Sequence, residues 1–387
     1  MENSLNIQVI ALDKFAKFGL IGYLFLTSCT QLVSFQLDKA LMVLFVGILV
    51  FHFFFTGKQI PHRAFLVLLG VFGIALISYL LNLPDSSLII FFPVIGLAYM
   101  SLIAEEGSFL DLFYWALFIH ILFGAILVIS SYVVGMNPFV HPMYDKGLPF
   151  LHAAKGFTTT VQAYGTLVIS WFLIFYFKKE NQQIHLWDKI AYGLVLLGLI
   201  LTFNRNSFLV FYLILFFKHK RIFWLTVFLA IGFYLYFFEF INKLIFNLST
   251  ISSRADLLQA FRIAFFEQTD WLGYLIGHGN NMVGEGIAKG TIYGTGYIEN
   301  GTSVLLYTYG FVGYLGYLVT ILGFSVLFFL KRKVFYAGMF FYIFIVAQQF
   351  THEFFSTTIY LQLTVFLLIF NQLPKIERKS SLFSSTQ

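Results

Sequence analysis

The chain has 387 residues, of which 59% are hydrophobic and only 11% are charged, and its mean hydropathy is +0.84. A soluble domain carries charge on about a quarter of its residues, so this composition excludes a soluble globular protein and predicts an all-α integral membrane protein. The single cysteine, Cys29, excludes an intramolecular disulfide.

Apolar runs long enough to cross a bilayer recur along residues 1–373 and predict about twelve transmembrane helices. The seventh and eighth runs are short, so they are either tilted or form a hairpin that crosses part of the bilayer. Residues 374–387 are polar and Ser-rich, which predicts a disordered cytoplasmic tail. The predicted spans are about 15–33, 40–55, 64–82, 87–103, 109–134, 160–177, 190–203, 207–217, 222–240, 302–330, 334–350 and 356–371.

The basic residues predict the orientation of these spans. With the N-terminus inside, all but eight of the 24 basic residues fall in cytoplasmic connections, as the positive-inside rule requires. Their basicity therefore indicates topology and gives no reason to expect nucleic-acid binding. Most of the other eight lie in two predicted external loops, residues 135–160 and 241–301. The eight are Lys39, Lys146, Lys155, Arg205, Lys243, Arg254, Arg262 and Lys289.

The larger external loop contains a predicted amphipathic helix. Ser253 followed by Asp256 resembles a capping box, and apolar residues then recur at helical spacing from Leu257 to Phe265. This pattern places Arg254 in the first helical turn, where the guanidinium and the backbone N–H groups would meet an anion together. Eight glycines between positions 273 and 296 predict a closely packed or mobile backbone after the helix.

Three segments in the second half of the chain share a feature, since each places Arg, Glu or Asn at the outer end of a predicted span or in the large loop. The first contains Thr202-Phe203-Asn204-Arg205, which is similar to a Thr-x-Ser-Arg motif. The segments are Leu201–Ser207; Ser253-Arg254 with Trp271–Gly279; and Glu299-Asn300 followed by Gly310 and Gly313.

In this order and with this topology, the segments resemble the O-antigen polymerase and ligase superfamily, in particular its Wzy-type polymerases. The resemblance covers about residues 195–330 and implies a GT-C-like membrane fold with one large external loop. It also implies a metal-independent glycosyltransferase without a cofactor, whose donor and acceptor are undecaprenyl-diphosphate-linked oligosaccharides. Such an enzyme joins repeat units into capsular, exopolysaccharide or O-antigen chains, with inversion, on the outer face of the bacterial cytoplasmic membrane.

The resemblance also implies roles for individual residues. Arg205 and Arg254 would hold the diphosphate leaving group, because a planar guanidinium suits bidentate phosphate binding. Glu299 would orient or deprotonate the attacking hydroxyl. The ligases have a histidine at the position of Glu299, so the polymerase is favoured over a ligase. Further substrate contacts are expected from Arg262, Lys155, His278, Tyr297, Asn300 and His152.

Each proposed catalytic residue also has a structural interpretation. Arg205 would serve as an interfacial anchor for lipid headgroups, Arg254 would begin a surface helix, and Glu299 would pair with Arg254 or Lys289. The pair His352-Glu353 at an outer helix end is the nearest approach to a metal site, and no metal is expected there.

Two alternative functions stay open. The first is a ligase that moves the glycan onto another acceptor. The second is a flippase or other transporter for lipid-linked oligosaccharides, which predicts internal repeats and charged residues at mid-membrane. No repeat is visible, and the charges gather outside the spans. The membrane lipids are expected partners, and it stays open whether a chain-length regulator protein binds.

Overall fold

The computed structural model describes residue 19 and residues 37–56, 62–83, 86–104, 107–143, 148, 150–180, 182–238, 248–279, 300–351 and 353–373. These residues are mostly helical, and five of their helices are long and apolar enough to cross a membrane. The protein is therefore a helical membrane protein. The five helices are α1, α2, α4, α5 and α11 in the numbering below.

The described helices follow the predicted spans closely, with ends that agree within four residues once the 3-10 and π turns attached to α3 and α12 are included. The predicted span 15–33 lies outside the described residues except for Gly19, so a twelve-span topology stays a prediction. The helices are α1 Leu37–Thr56, α2 His62–Leu81, α3 Phe92–Ala104, α4 Ser108–Ser131, α5 Val161–Lys178, α6 Leu186–Ile200, α7 Arg205–Lys218, α8 Lys220–Tyr236, α9 Leu248–Arg262, α10 Trp271–Ile276, α11 Gly301–Leu330, α12 Val334–Phe341 and α13 Thr357–Gln372.

Shorter elements extend or connect these helices. A 3-10 turn, Leu88–Phe91, precedes α3, and a π-helical turn, Ile263–Glu267, follows α9. A second π-helical turn, Tyr342–Val346, and a 3-10 turn, Ala347–Gln349, extend α12. Between α4 and α5, strands β1 (Val140–Pro142) and β2 (His152–Ala154) pair antiparallel with Val140 opposite Ala154.

Helix α5 forms the centre of the bundle. It packs against α4, α6, α7 and α13, and 13 of its 18 residues are buried. The largest of these side chains, Trp171 and Tyr164, are fully buried. A helix that is apolar on all sides is expected to be surrounded by other helices, and the sequence of α5 has this character.

Ion pairs gather at one end of the bundle, where the predicted cytoplasmic connections meet. Lys178 and Lys179, at the C-terminus of α5, pair with Asp111 at 2.6 Å and with Asp188 at 2.9 Å. Lys333 pairs with Glu180 at 2.7 Å. The basic connections after α5 and α11 therefore lie at the same end of the bundle, as their predicted common side of the membrane requires.

Helix α11 is kinked at Gly310, whose φ of 64° and ψ of −167° are not helical. The kink leaves carbonyl groups of the preceding turn without helical donors. The Tyr307 carbonyl accepts a hydrogen bond from the His278 N–H at 2.7 Å, and the Thr308 carbonyl accepts one from the Ser78 hydroxyl at 2.9 Å. The segment after α10 and helix α2 thus supply the hydrogen-bond donors that these carbonyl groups lose at the kink.

Two glycines allow the backbones to meet at this kink. A Cβ atom on Gly277 would overlap the backbone of Thr308, and a Cβ atom on Gly310 would overlap the backbone of Leu275. Both glycines have positive φ, 79° and 64°. This confirms the predicted close packing for this part of the glycine-rich segment.

The predicted start of the loop helix is wrong. Helix α9 begins at Leu248, so Ser253 and Asp256 lie within it and Arg254 is in its second turn. A capping box is a local preference. It marks the first turn of a helix only where the backbone before it is not helical. Here residues 248–252 continue the helix upstream, so Arg254 does not meet exposed N–H groups at a helix terminus.

The predicted apolar stripe is confirmed in part and rests on the bundle. Leu257, Phe261, Ala264 and Phe265 are buried, whereas Leu258 is 42% exposed. Ala260, Phe261, Ala264 and Phe265 are buried against α11. The contact residues on α11 are Val304, Leu306 and Tyr307.

We expect Gly310→Ala to lower the thermal stability of the detergent-solubilised protein. A Cβ atom at positive φ costs about 1–2 kcal/mol before any clash is counted, and here it also meets the Leu275 backbone. The measurement is the melting temperature. Gly316→Ala, on the same helix, is the matched control because its Cβ meets nothing within 4 Å. Equal melting temperatures for the two variants would contradict the role assigned to the kink.

Candidate functional site

A small polar cavity lies between α5, α7, α13 and the segment that follows α12. Its volume is about 20 Å³, which is the space of about one water molecule. Seven polar side chains line it, and one of them is a carboxylate. The lining residues are Thr166, Ile169, Asn206, Ser207, Val210, Ile343, Ala347, Gln348, Thr351, Glu353 and Gln362.

Helices α5 and α7 approach closely beside the cavity because Gly165 has no side chain. A Cβ atom on Gly165 would overlap the Ser207 hydroxyl. Asn204 caps α7, and its side chain accepts a hydrogen bond from the Asn206 N–H at 2.9 Å. This cap and this contact bring Asn206 and Ser207 level with Thr166 on α5.

Glu353 supplies the carboxylate and is only 7% exposed. The Thr166 hydroxyl lies 3.1 Å from its Oε2 and 3.3 Å from its Oε1. No described Lys, Arg or His side chain pairs with it. Burial raises the pKa of Glu353 to about 7, against the smaller lowering effect of the Thr166 hydrogen bond. The group therefore changes its charge near neutral pH.

Two amide oxygens beside the cavity accept no hydrogen bond from the described residues. They are Oδ1 of Asn206 and Oε1 of Gln348, and Gln348 is only 4% exposed. In the π-helical turn the Ala347 N–H bonds to the Tyr342 carbonyl, and the Gln348 side-chain NH₂ donates to the Ile343 carbonyl at 3.4 Å. Buried acceptors without a donor are rare in folded proteins, so these oxygens require a ligand, a water molecule or another hydrogen-bond donor.

An apolar groove of about 330 Å³ adjoins the polar cavity. It runs between α2, α3, α11 and α13, and its lining has no charged side chain. Gln348 lines both the groove and the cavity, and Phe354 lines the groove next to Glu353 in the chain. The groove and the cavity therefore share Gln348 in their walls.

Two of the sequence-predicted residues adjoin residues that line this cavity, and a third lies near the turn that leads into α7. Arg205 is the half-buried first residue of α7, next to Asn206. Asn300 caps α11 by accepting a hydrogen bond from the Ser303 N–H at 2.8 Å, and its NH₂ donates to the Gln349 carbonyl at 3.0 Å.

The third residue, Lys155, is 4% exposed, and burial lowers its pKa to about 8. Its neighbour Ala154 donates a backbone hydrogen bond to Leu201 at 2.7 Å. This bond holds the segment after β2 against the turn that leads into α7.

Three other predicted residues have no described contact with the cavity. The His278 ring lies 2.8 Å from the Thr269 hydroxyl, and burial lowers its pKa, with Asp270 opposing. The His152 ring lies 2.7 Å from the Ser131 hydroxyl. Arg262 is exposed at the end of α9.

Several predicted residues lie outside the described part of the chain. They are Glu299 and Tyr297, while only the backbone of Arg254 is described. His352, predicted as half of the nearest approach to a metal site, is also outside. Among the described residues no three His, Cys, Asp or Glu side chains lie together.

The sequence analysis considered Glu353 only as half of a metal pair. The structure gives it a different setting, a cavity shared with Thr166, 187 positions earlier in the chain. One indication of a site at Glu353 was present in the sequence, since a mostly polar run from Gln348 to Glu353 lies where one apolar span ends and before the next begins. Such a run between membrane segments is a general indication of function.

No protein-family model matches the chain, and neither a curated protein nor a solved structure is significantly similar to it.

We expect stability to fall as the pH rises from about 4.5 to about 7. Folded Glu353 keeps its proton up to about pH 7, whereas an ordinary glutamate loses it near 4.5, so the folded state binds more protons in this interval. Below pH 4.5 the free energy of unfolding is not reduced by Glu353, because its carboxyl is protonated in both states. Above pH 7 the free energy of unfolding is lower by about 3 kcal/mol.

The measurement compares melting temperatures at pH 5 and pH 8 for wild type and Glu353→Gln, in buffers whose only cation is N-methylglucamine. The wild-type protein should lose more stability between the two values. Parallel pH profiles for the two proteins would contradict the assignment.

Proposed function

We propose that the protein is a membrane glycosyltransferase that joins undecaprenyl-diphosphate-linked oligosaccharide repeat units into a capsular, exopolysaccharide or O-antigen chain. The proposed location is the outer face of the bacterial cytoplasmic membrane. The observation that carries the proposal is the position of the apolar groove near the start of α7, since Gln348 lines both the groove and the polar cavity, and Arg205 precedes the cavity residue Asn206. The diphosphate would lie at Arg205, outside the cavity, because the cavity has room for only about one water molecule. A lipid-linked sugar needs these two environments side by side, because its isoprenoid chain is apolar and its diphosphate is charged.

The groove suits an isoprenoid chain. Gly70 on α2 and Gly316 on α11 line it, and a Cβ atom on either would meet nothing within 4 Å. Small residues let an apolar chain approach the helix backbones closely, and in a bilayer such packing drives association.

The polar end suits a diphosphate. Arg205 is the first residue of α7, where the helix dipole is positive, and its guanidinium matches phosphate geometry. The anion site that the sequence predicted at Arg254 is thus better supported at Arg205. Lys155 adds positive charge, since its pKa of about 8 leaves it mainly protonated at pH 7.

The proposed reaction is an in-line displacement. A hydroxyl of the acceptor sugar attacks the anomeric carbon of the donor, the bond from that carbon to the diphosphate oxygen breaks, and the configuration inverts. The proton of the hydroxyl passes to Glu299, which precedes Asn300 at the edge of the cavity. The diphosphate leaves with its electron pair, and the arginines hold its charge. A ligase would use the same site and differ only in its acceptor.

One observation favours a second function. Glu353 is a buried acid with no charged partner among the described residues, and an ionisable residue inside a membrane bundle often belongs to a proton-coupled or ion-coupled transporter. The same experiment separates the two functions, because a transporter moves repeat units across the membrane without joining them.

Purified protein in vesicles supplied with a lipid-linked repeat unit should produce a ladder of glycan lengths. We expect Arg205→Ala, Arg254→Ala and Glu299→Gln each to lower the polymerisation rate by about a hundredfold, since each removes transition-state stabilisation or the base. The readout is the glycan size distribution on a gel.

Arg221→Ala is the matched control for this experiment. Arg221 is an exposed arginine near the start of α8, so its removal should leave the ladder unchanged. The polymerase proposal fails if wild type only moves single repeat units across the membrane. If the ladder survives all three substitutions, these residues are not the site.

Gly70→Leu and Gly316→Leu should raise KM for a long-chain donor by about tenfold, because the new side chains would extend into the groove from a Cβ atom that meets nothing within 4 Å. A donor with a short isoprenoid chain should be used equally by variants and wild type. Gly323→Leu, also on α11 and outside the groove, is the matched control. An unchanged KM in both variants would show that the isoprenoid chain of the donor does not bind in the groove.

A further inference from the structure

We propose that the polar cavity beside Glu353 binds one small monovalent cation such as Na⁺, held by oxygen atoms of Glu353, Thr166, Asn206 and Gln348. This inference does not depend on the proposed glycosyl transfer. It concerns an ion that stays bound to the protein. This ion would be the partner of the Asn206 and Gln348 amide oxygens, which receive no hydrogen bond from the described residues.

The first argument is charge. The carboxylate of Glu353 is buried, and its side chain has one described hydrogen-bond partner, the Thr166 hydroxyl. That hydroxyl also lies 3.2 Å from the Gln162 carbonyl, and a hydroxyl has a single hydrogen to donate. An ionised carboxylate in such a place is costly unless a positive charge compensates it. No described basic side chain does so, and a bound cation would.

The second argument is the chemistry of the lining. Besides Glu353, the unpaired acceptors are the amide oxygens of Asn206 and Gln348. The Thr351 hydroxyl, which also lines the cavity, donates to the Ala347 carbonyl at 3.1 Å and keeps its lone pairs. Carboxylate, amide and hydroxyl oxygens are the ligands of hard cations.

Size and charge then select the ion. The cavity of about 20 Å³ holds about one water-sized particle, which leaves no room for the several waters that Mg²⁺ keeps. One carboxylate supplies one negative charge. A single monovalent ion without its full hydration shell fits both limits.

The local backbone also favours a cation. The helical run that begins with α12 ends at Gln349, and the described residues between it and Thr357 are not helical. The C-terminal end of a helix carries partial negative charge. Unwound backbone and helix C-termini between membrane helices are where transporters hold Na⁺.

A bound ion would connect four parts of the protein. Thr166 is on α5, Asn206 on α7, Gln348 in the 3-10 turn after α12, and Glu353 in the segment before α13. Because the ion binds the folded arrangement only, it should stabilise the protein by mass action.

Two measurements on the purified full-length protein test the proposal. The first is equilibrium binding of radioactive Na⁺, which should saturate at one ion per chain. The second is the melting temperature at constant pH and ionic strength, which should be higher by about 3 °C or more in NaCl than in N-methylglucamine chloride.

Variants locate the ion. Glu353→Gln should abolish Na⁺ binding, and Gln348→Met and Thr166→Val should each weaken it by about tenfold. Asp111→Asn, which removes a carboxylate at the other end of the bundle, should bind Na⁺ as wild type does. If Glu353→Gln does not fold, Gln348→Met carries the test, because it keeps the length of the side chain while it removes the oxygen ligand, together with the NH₂ that donates to the Ile343 carbonyl.

Three outcomes would overturn the proposal. One is the absence of saturable Na⁺ binding by wild type, which would mean that a proton neutralises Glu353. Another is an unchanged Na⁺ affinity in Gln348→Met. The last is a salt-dependent melting temperature that persists in Glu353→Gln. None of these outcomes bears on whether the protein builds a glycan ladder, so the two proposals fail separately.

Discussion

The structure depends on one constraint, which is that every backbone polar group buried in a membrane bundle needs a partner inside the protein. Where helix α11 breaks at Gly310, its exposed carbonyls receive donors from the segment after α10 and from α2. Where α12 passes into π and 3-10 geometry, the side chain of Gln348 donates to the Ile343 carbonyl. Both irregular segments are stable because their hydrogen bonds are made internally, and both contribute residues to the groove.

Polar chemistry is divided between the two ends of the bundle. At one end, lysines and carboxylates pair close to the surface, as Lys178 and Asp111 do, and such exposed pairs contribute little to stability. At the other end, Glu353 is buried without a charged partner among the described residues, beside the start of α7 at Arg205. Buried and poorly compensated groups are destabilising, and proteins commonly retain them at functional sites. The rigid core around α5 holds this second end in place.

The spans were predictable because hydropathy and helix length follow from bilayer thickness, which acts on each segment separately. Arg205 was selected because an arginine on the predicted outer side conflicts with the orientation rule, and its role stays a prediction. Glu353 was not recognised, because its setting depends on Thr166, 187 positions away. The start of α9 was placed wrongly because a local capping pattern around Ser253 was outweighed by the helical residues before it. The crossing of Gly277 and Gly310 is likewise a tertiary contact.

Gln348 lines both the apolar groove and the polar cavity. A ligand in either space that favours one rotamer of this side chain changes the free energy of binding in the other. By thermodynamic linkage the effect is reciprocal, with the same coupling free energy in both directions. With ligands bound as proposed, one shared glutamine would make occupancy of the apolar groove and occupancy of the buried cavity cooperative or mutually exclusive, without any rearrangement of the helices.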